Sequence, residues 1–368
     1  MVKKLDTGVN HVRNVLRYII GSGAIKELPK LVAKKRVNNN QKVIFLVDDF
    51  FQDKQVILNM LGIKQEDELI FVSTQTEPST DYVDELLSIL LEKGLRDPAV
   101  VVGMGGGTTM DVAKAISNLL SNGGKAEDYQ GWDLVKKPGV FKIAIPTLSG
   151  TGAEATRTCV MINKKTRLKL GMNSDFTVYD QLILDPTLTK SVPQDQYFYS
   201  GMDAYIHCVE SLNGSYRNAI GDAYSAQTIK LCREVFLSDD MMSDENRSKM
   251  MVASYLGGCA IATSYVGVLH PFSAGLSVVL GVHHCKANCI TMRAMEEFYP
   301  NEYKEFWKMV EKQGIDIPRG ICHNLNSDQY KQLYESTIIH EKPLTNALGE
   351  NFKEVLTKDK VTQLFQSM

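Results

Sequence analysis

Two hydrophobic rhythms divide the chain. Up to about residue 190, short runs dense in Val and Ile stop at Asp, Gly, Ser or Thr: "KVIFLVDD" (42–49), "ELIFVS" (68–73), "PAVVVGMGGG" (98–107) and "FKIAIPT" (141–147). Continuous apolar runs of this length, bounded by turn residues, predict buried strands. Between them, "VDELLSILLEKG" (83–94) and "TMDVAKAISNLLSN" (109–122) repeat their apolar positions at helical spacing. Strand, helix, strand in this order predicts a parallel sheet with helices on its faces. Beyond 190 the rhythm changes. "YSGMDAYIHCVESLNG", "AYSAQTIKLCREVFL", "SKMMVASYLGGCAIATSYVG" and the chain from 301 all read as helices, and no segment reads as a strand. The expectation is an α/β, Rossmann-like domain over 1–195 and an all-α domain over 196–368, with the boundary inside "KSVPQDQYFYS" (190–200).

Composition narrows the class. A chain of 368 residues is long for one core, in keeping with two domains. A net charge of −2 provides no global attraction to nucleic acid or to an anionic membrane, so neither is expected as a partner. Seven scattered Cys form no disulfide framework and point to reduced thiols in the cytoplasm. The opening "MVKKLDTGVNHVRN" has no apolar run of the secretory kind, so no signal peptide is expected. From Met250 to Cys285 there is no Asp, Glu, Lys or Arg. That length of uncharged chain raises the question of a membrane span. Gly257–Gly258, His270–Pro271 and Gly275 interrupt it, and buried helices fit better.

The third apolar run leads into Gly103, Gly105, Gly106 and Gly107, and then directly into a helix. Thr108 and Asp111 have capping-box spacing at that helix start. Free N–H groups there, approached closely past residues without a Cβ, suit a pyrophosphate. The loop matches neither G-x-G-x-x-G nor a Walker A sequence, and a glycine turn needed only for packing is the plain alternative. A second loop, "PTLSGTGAEAT" (146–156), follows another strand, with Thr147, Ser149 and Thr151 as polar groups and Thr151 and Glu154 at capping spacing. The first run ends in Asp48 and Asp49. A carboxylate there can bind a ribose diol and repel a 2′-phosphate, or it can simply cap a turn.

Rare imidazoles fall where the chain is most apolar. Asp203, His207 and Glu210 sit at i, i+4 and i+7 and share one helix face among Met202, Ala204, Ile206, Cys208 and Val209. His270 and His284 lie within the uncharged run. Buried polar groups need partners, and three imidazoles with one carboxylate suit a divalent Zn²⁺ or Fe²⁺. His283 points elsewhere on a helix, and Cys285 and Cys289 read as core.

Together these segments resemble the iron-dependent (group III) alcohol dehydrogenase family, whose fold is shared with dehydroquinate synthase. The resemblance runs from "GSGAIKELPKLV" (21–32) through "GGGTTMDVAKAI", "PTLSGTGAEAT" and "GMDAYIHCVES" to "HHCKANCI" (283–290). It implies Asp203, His207, His270 and His284 as metal ligands, through which the metal would act on a substrate hydroxyl as a Lewis acid. It also implies an NAD(P) site built on Asp49, Gly105, Gly106, Gly107, Thr108, Asp111, Thr147, Ser149, Thr151 and Lys169, and a homodimer. Many members carry a further His four residues after the third ligand, and here that residue is Ala274. "QGWDLVKKPGV" (130–140), "GMNSDFTVYDQ" (171–181) and "YIHCVESLNG" (205–214) are similar to members that oxidise the terminal alcohol of an acidic eight-carbon sugar. The substrate implied is therefore a sugar acid or an alcohol, with NAD, NADP or dioxygen as acceptor. Arg157, Lys165, Arg167 and Lys169 could meet a substrate carboxylate, though a solvated basic hairpin explains most of them as well. A lyase of the dehydroquinate synthase type and a non-catalytic metal scaffold are the rival classes. The lack of Lys and Arg over 250–285 counts against the first, and the paired glycine loops against the second.

Overall fold

The computed structural model describes residues 12–38 and 41–368; residues 1–11, where the signal-peptide reading falls, lie outside the described residues. The described chain packs as two compact units. One comprises Val12–Leu148 and Ala153–Ser191, and the other Val192–Met368 with Ser149–Gly152.

The first unit is built on a parallel sheet of β1 (Arg17–Ile20), β2 (Val43–Asp48), β3 (Glu68–Val72), β4 (Val100–Gly105), β6 (Lys142–Pro146) and β9 (Gln181–Leu184), in the order β1-β9-β6-β4-β2-β3. The remaining strands, β5 (Gly131–Trp132), β7 (Thr158–Asn163) and β8 (Leu168–Asn173), form a small second sheet. The four predicted runs are β2, β3, β4 and β6. Every residue of β2, β4 and β6 is buried, which is why these strands read as unbroken apolar runs rather than alternations. The predicted helices are α3 (Thr80–Glu92) and α4 (Gly107–Asn122), and α1 (Leu28–Ala33) and α2 (Gln55–Met60) precede them. Parallel pairing sets Val47 against Met104 and Met104 against Ile145, so the loops after β2, β4 and β6 leave the sheet at one edge.

Sequence patterning does not predict β1, β5 or β9, and it marks the β7–β8 region only as a basic hairpin without strand bounds. The first three span only two to four residues. In the hairpin, alternate residues of β7 are buried, but the turn "KKTR" masks the period in a longer window. Lys165 and Arg167 are exposed at its turn, as a solvated basic hairpin has them, with Lys165 paired to Glu127 at 2.7 Å. Lys169, 5% exposed and paired with Glu77 at 3.0 Å, and the half-buried Arg157, paired with Asp175 at 3.0 Å, depart from that reading.

The second unit is helical, with no strand among its described residues. Its long helices are α5 (Gln194–Asn213), α6 (Ala219–Phe236), α7 (Asp244–Ser264), α8 (Leu269–Leu280), α9 (His284–Met292), α10 (Pro300–Gln313) and α11 (Ser327–Ile338). The shorter α12 (Glu341–Leu348), α13 (Phe352–Val355) and α14 (Lys358–Gln366) complete it. α5 lies at the centre, packed by α6, α7 and α9, and is buried without interruption from Tyr197 to Ser211. Its apolar residues join Phe236, Met250 and Phe272 in one core. The segment Ser149–Gly152 is tied to this unit by close backbone approach. A Cβ on Gly150 (φ +151°) would stand 1.5 Å from the Ser200 carbonyl oxygen, and one on Gly152 (φ +62°) 2.5 Å from Gly258 Cα, so glycine is required at both. Among the described residues no single helix is long and apolar enough to cross a membrane. α7 and α8 are long and apolar enough only as a pair, bent by 107°, and most residues of both are buried in the core.

Candidate metal centre and nucleotide loop

α5 presents Asp203 and His207 one turn apart on a helix that is apolar on its other faces. α8 contributes His270 from its second residue, and α9 contributes His284 from its first. One ligand atom from each of these four residues lies within 4.8 Å of all the others. Asp203 Oδ1 is 3.4 Å from His207 Nε2 and 3.3 Å from His270 Nε2, and its Oδ2 is 3.5 Å from His284 Nε2. The fold therefore brings together all four residues expected from the sequence. Three imidazole nitrogens and a carboxylate converging on one point, with Asp203 and His207 buried and His270 and His284 half-buried, are a donor set that fits Zn²⁺ or Fe²⁺. Burial alone would raise the Asp203 carboxyl, but His207, His284 and His270 around it hold it well below the usual carboxylate range. Burial pushes His207 down to about 4, leaving a neutral ring suited to ligation.

The surroundings contain groups that sequence reasoning left unassigned. Glu210, on the Asp203–His207 face of α5, hydrogen-bonds His270 Nδ1 and accepts the backbone N–H of Leu269 at 2.5 Å. Asn288, one turn after His284, donates to Asp203 Oδ1 at 2.6 Å, and its own Oδ1 is buried without a hydrogen-bond partner among the described residues. Cys285, correctly read as buried, points its thiol at Asp203 Oδ2 across 3.7 Å. The i+7 spacing marked Glu210, but nothing local marked Asn288. His283 is exposed and takes no part in the cluster.

At the end of the parallel sheet, β4 passes through Gly105 and Gly106 into α4, whose first residue is Gly107. The expected capping box does not form. Gly106 is the N-cap and carries no side-chain cap, and Asp111 turns away to accept the Val160 N–H at 2.8 Å. Asp111 also lies 3.8 Å from the buried Lys114. The cap expected at Thr151 and Glu154 is absent as well, because no helix begins there. Among the described residues no side chain caps the first turn of α4 from its own N-cap position, which leaves N–H groups of the kind an anion site requires, while the Asp48 carboxylate accepts from the Gly106 N–H beside them. Thr147 joins the loop by donating its N–H to Gly105 O at 3.0 Å. Asp48 is the turn cap, accepting from Phe50 N at 3.0 Å, while Asp49 is half-buried and accepts from Thr74 Oγ1 at 3.2 Å. Thr108 is half-buried in the first turn of α4. Ser149 and Thr151 belong to the helical unit, where Ser149 Oγ is buried without a hydrogen-bond partner among the described residues. Lys169 is held by Glu77.

Comparison with known proteins agrees with this geometry. Residues 16–186 match the model of iron-containing alcohol dehydrogenase, and residues 197–334 match the C-terminal model of the Fe-containing alcohol dehydrogenase family. The chain belongs to the iron-containing alcohol dehydrogenase family and is an oxidoreductase of that class. It is 32% identical over 281 residues to the sulfoacetaldehyde reductase of Bilophila wadsworthia, covering 73% of this chain and 70% of the relative. To the NAD-dependent methanol dehydrogenase of Bacillus methanolicus it is 29% identical over 287 residues, 74% of this chain and 72% of the relative. The crystal structure of the sulfoacetaldehyde reductase of Bifidobacterium kashiwanohense in complex with NAD+ superposes with a TM-score of 0.79 at 22% identity, over 98% of both chains. The fold is accordingly dehydroquinate synthase-like, a parallel α/β portion followed by a helical one.

Proposed function

We propose that the chain interconverts a primary alcohol and its aldehyde, with Asp203, His207, His270 and His284 holding Fe²⁺ or Zn²⁺ and with NAD as the hydride carrier. The observation that carries this reading is the convergence of a carboxylate and three imidazoles, on three different helices, to within 4.8 Å. When bound, the cation would supply Lewis acidity at a substrate hydroxyl and the nicotinamide would supply the hydride acceptor. The protein's part is to hold and orient. The α4 N-terminus after Gly105 and Gly106 receives the pyrophosphate, and Thr147 closes the loop beside it. Asp49, at the end of β2, receives the ribose diol and disfavours a 2′-phosphate, so NAD binds more tightly than NADP. The same reading makes the protein a cytoplasmic homodimer.

The finer reading of the substrate rests on sequence text and one residue. The segments 130–140, 171–181 and 205–214 resemble 3-deoxy-manno-octulosonate 8-oxidase, which oxidises the C8 alcohol of an acidic eight-carbon sugar for amination in lipopolysaccharide synthesis. Ala274 lies one turn beyond His270 on α8, where a His would occupy more room. A small residue there favours a bulky, polyhydroxylated substrate, and binding energy from its remote groups helps orient the reacting carbon. The experiment follows NADH absorbance for metal-loaded protein with ethanol, 1,3-propanediol and 3-deoxy-manno-octulosonate. The sugar acid is expected to have the highest kcat/KM, and Ala274→His to lower it more than it lowers the value for propanediol. Equal kcat/KM for all three removes the sugar-acid reading and leaves a general alcohol dehydrogenase.

A further inference from the structure

Glu210 is a fully buried carboxylate whose two oxygens are both in use, and both serve α8. Oε2 hydrogen-bonds His270 Nδ1, while Oε1 accepts from Leu269 N at 2.5 Å and lies 3.4 Å from His270 N. The N-cap residue of α8, Val268, has no side-chain acceptor of its own, so Glu210 caps this helix from α5. Tyr299 completes the grip, its hydroxyl oxygen accepting the Val268 N–H at 3.3 Å. Close approach requires a glycine beside it, since a Cβ on Gly267 would stand 2.7 Å from the Tyr299 hydroxyl and 3.3 Å from Glu210 Oε1. One side chain thus fixes the start of α8 and the ring of its histidine at once. A carboxylate against Nδ1 requires the hydrogen there, which leaves the lone pair on Nε2, the atom that faces Asp203 at 3.3 Å. His207 differs, because its Nδ1 is buried without a hydrogen-bond partner among the described residues.

We propose that Glu210 is a positioning residue that presents His270 Nε2 to the metal, by holding its Nδ1–H tautomer and by capping the helix that carries it. The proposal rests on the four-ligand reading above. Glu210→Gln separates the two tasks. A glutamine oxygen can still accept the Leu269 N–H, but its amide N–H₂ then faces Nδ1 and favours the opposite tautomer. The test titrates wild type and Glu210→Gln with Zn²⁺ against a chromogenic chelator and records the melting temperature of each before metal is added. The expected result is a melting temperature close to wild type with Zn²⁺ affinity lower by about 10–100-fold, the usual effect of removing such an outer carboxylate. Wild-type affinity in a folded Glu210→Gln overturns the proposal and leaves the metal reading intact. Should that variant not fold, ¹⁵N correlation spectra of the Zn²⁺-loaded wild type decide instead. Hydrogen on Nδ1 of His270 and metal at Nε2 are expected, and metal at Nδ1 overturns the proposal. A wild type that takes up no Zn²⁺ overturns the metal reading and this inference with it.

Discussion

Neighbouring glycines in the β4–α4 loop face different surroundings, and that separates binding from stability. A Cβ on Gly105 would lie 2.6 Å from Thr109 Oγ1, 2.7 Å from Thr109 Cβ and 2.9 Å from Asp48 Cβ. The Thr109 hydroxyl can rotate away, but neither Cβ atom can yield without moving backbone. A Cβ on Gly106 would meet only the end of Leu148, at 2.7 Å from Cδ1, which another rotamer relieves. Gly105→Ala is therefore expected to lose about 1–3 kcal/mol of stability by overpacking. Gly106→Ala should fold normally but keep the NAD pyrophosphate from the helix N-terminus, weakening binding about tenfold, or ~1.4 kcal/mol. Urea melts and calorimetry with NAD measure the two effects. Unchanged NAD affinity in Gly106→Ala would take this loop out of the nucleotide site.

At the level of elements, α4 is a bolt as well as the proposed anion site. Its second turn is tied to the β7 side by Asp111, which accepts from Val160 N, and by Lys114, whose Nζ donates to Thr156 O at 3.1 Å and Thr158 O at 2.7 Å. Burial raises the Asp111 carboxyl to about 6, with Lys114 opposing it. Burial also lowers the Lys114 ammonium. A carboxyl whose folded pKa lies above its unfolded value binds its proton more readily in the fold. The ionised form then destabilises above pH 6, and the penalty disappears as pH falls through about 6 toward 3.8. Its full size is about 3 kcal/mol. Asp111→Asn keeps an acceptor for Val160 and removes the titration. The stability of wild type relative to this variant should therefore improve as pH drops from 7 to 4.5. A difference that stays flat across that range would show that Asp111 does not titrate there.

For the whole molecule, the proposed ligand set joins α5 to the consecutive helices α8 and α9, with α6 and α7 between them in sequence, so a bound cation would cross-link the helical unit. Metal bound at about 1,000 times its dissociation constant adds roughly 4 kcal/mol to folding. For a unit of this size that corresponds to a melting temperature about 8–16 °C higher. Adding a chelator should remove that increment from wild type and do nothing to His270→Ala. Calorimetric melts with and without chelator test this, and equal chelator effects on both proteins would exclude His270 from the site.

Much of this was legible in the chain. The central strands are buried on both faces, so their apolar runs are continuous and local pattern suffices to find them. The metal cluster was legible for a related reason, since imidazoles and a carboxylate inside apolar helices cannot be left unsatisfied, and Asp203, His207, His270 and His284 stand out against their neighbours. Contacts between segments distant in sequence were not legible. The pairing of Glu210 with His270 and of Asn288 with Asp203 depends on how α5, α8 and α9 pack, and no periodicity within one helix encodes that. Asp111 has the spacing of a helix cap, but the β7 backbone competes for its carboxylate and wins, because Val160 N would otherwise be left without that acceptor. Lys169 looks like a surface cation in sequence and becomes buried only because Glu77, from another part of the chain, is folded against it. Local propensity and the cost of burying polar groups act along the sequence, whereas the choice of partner for each buried charge is made only when the helices and strands pack in three dimensions.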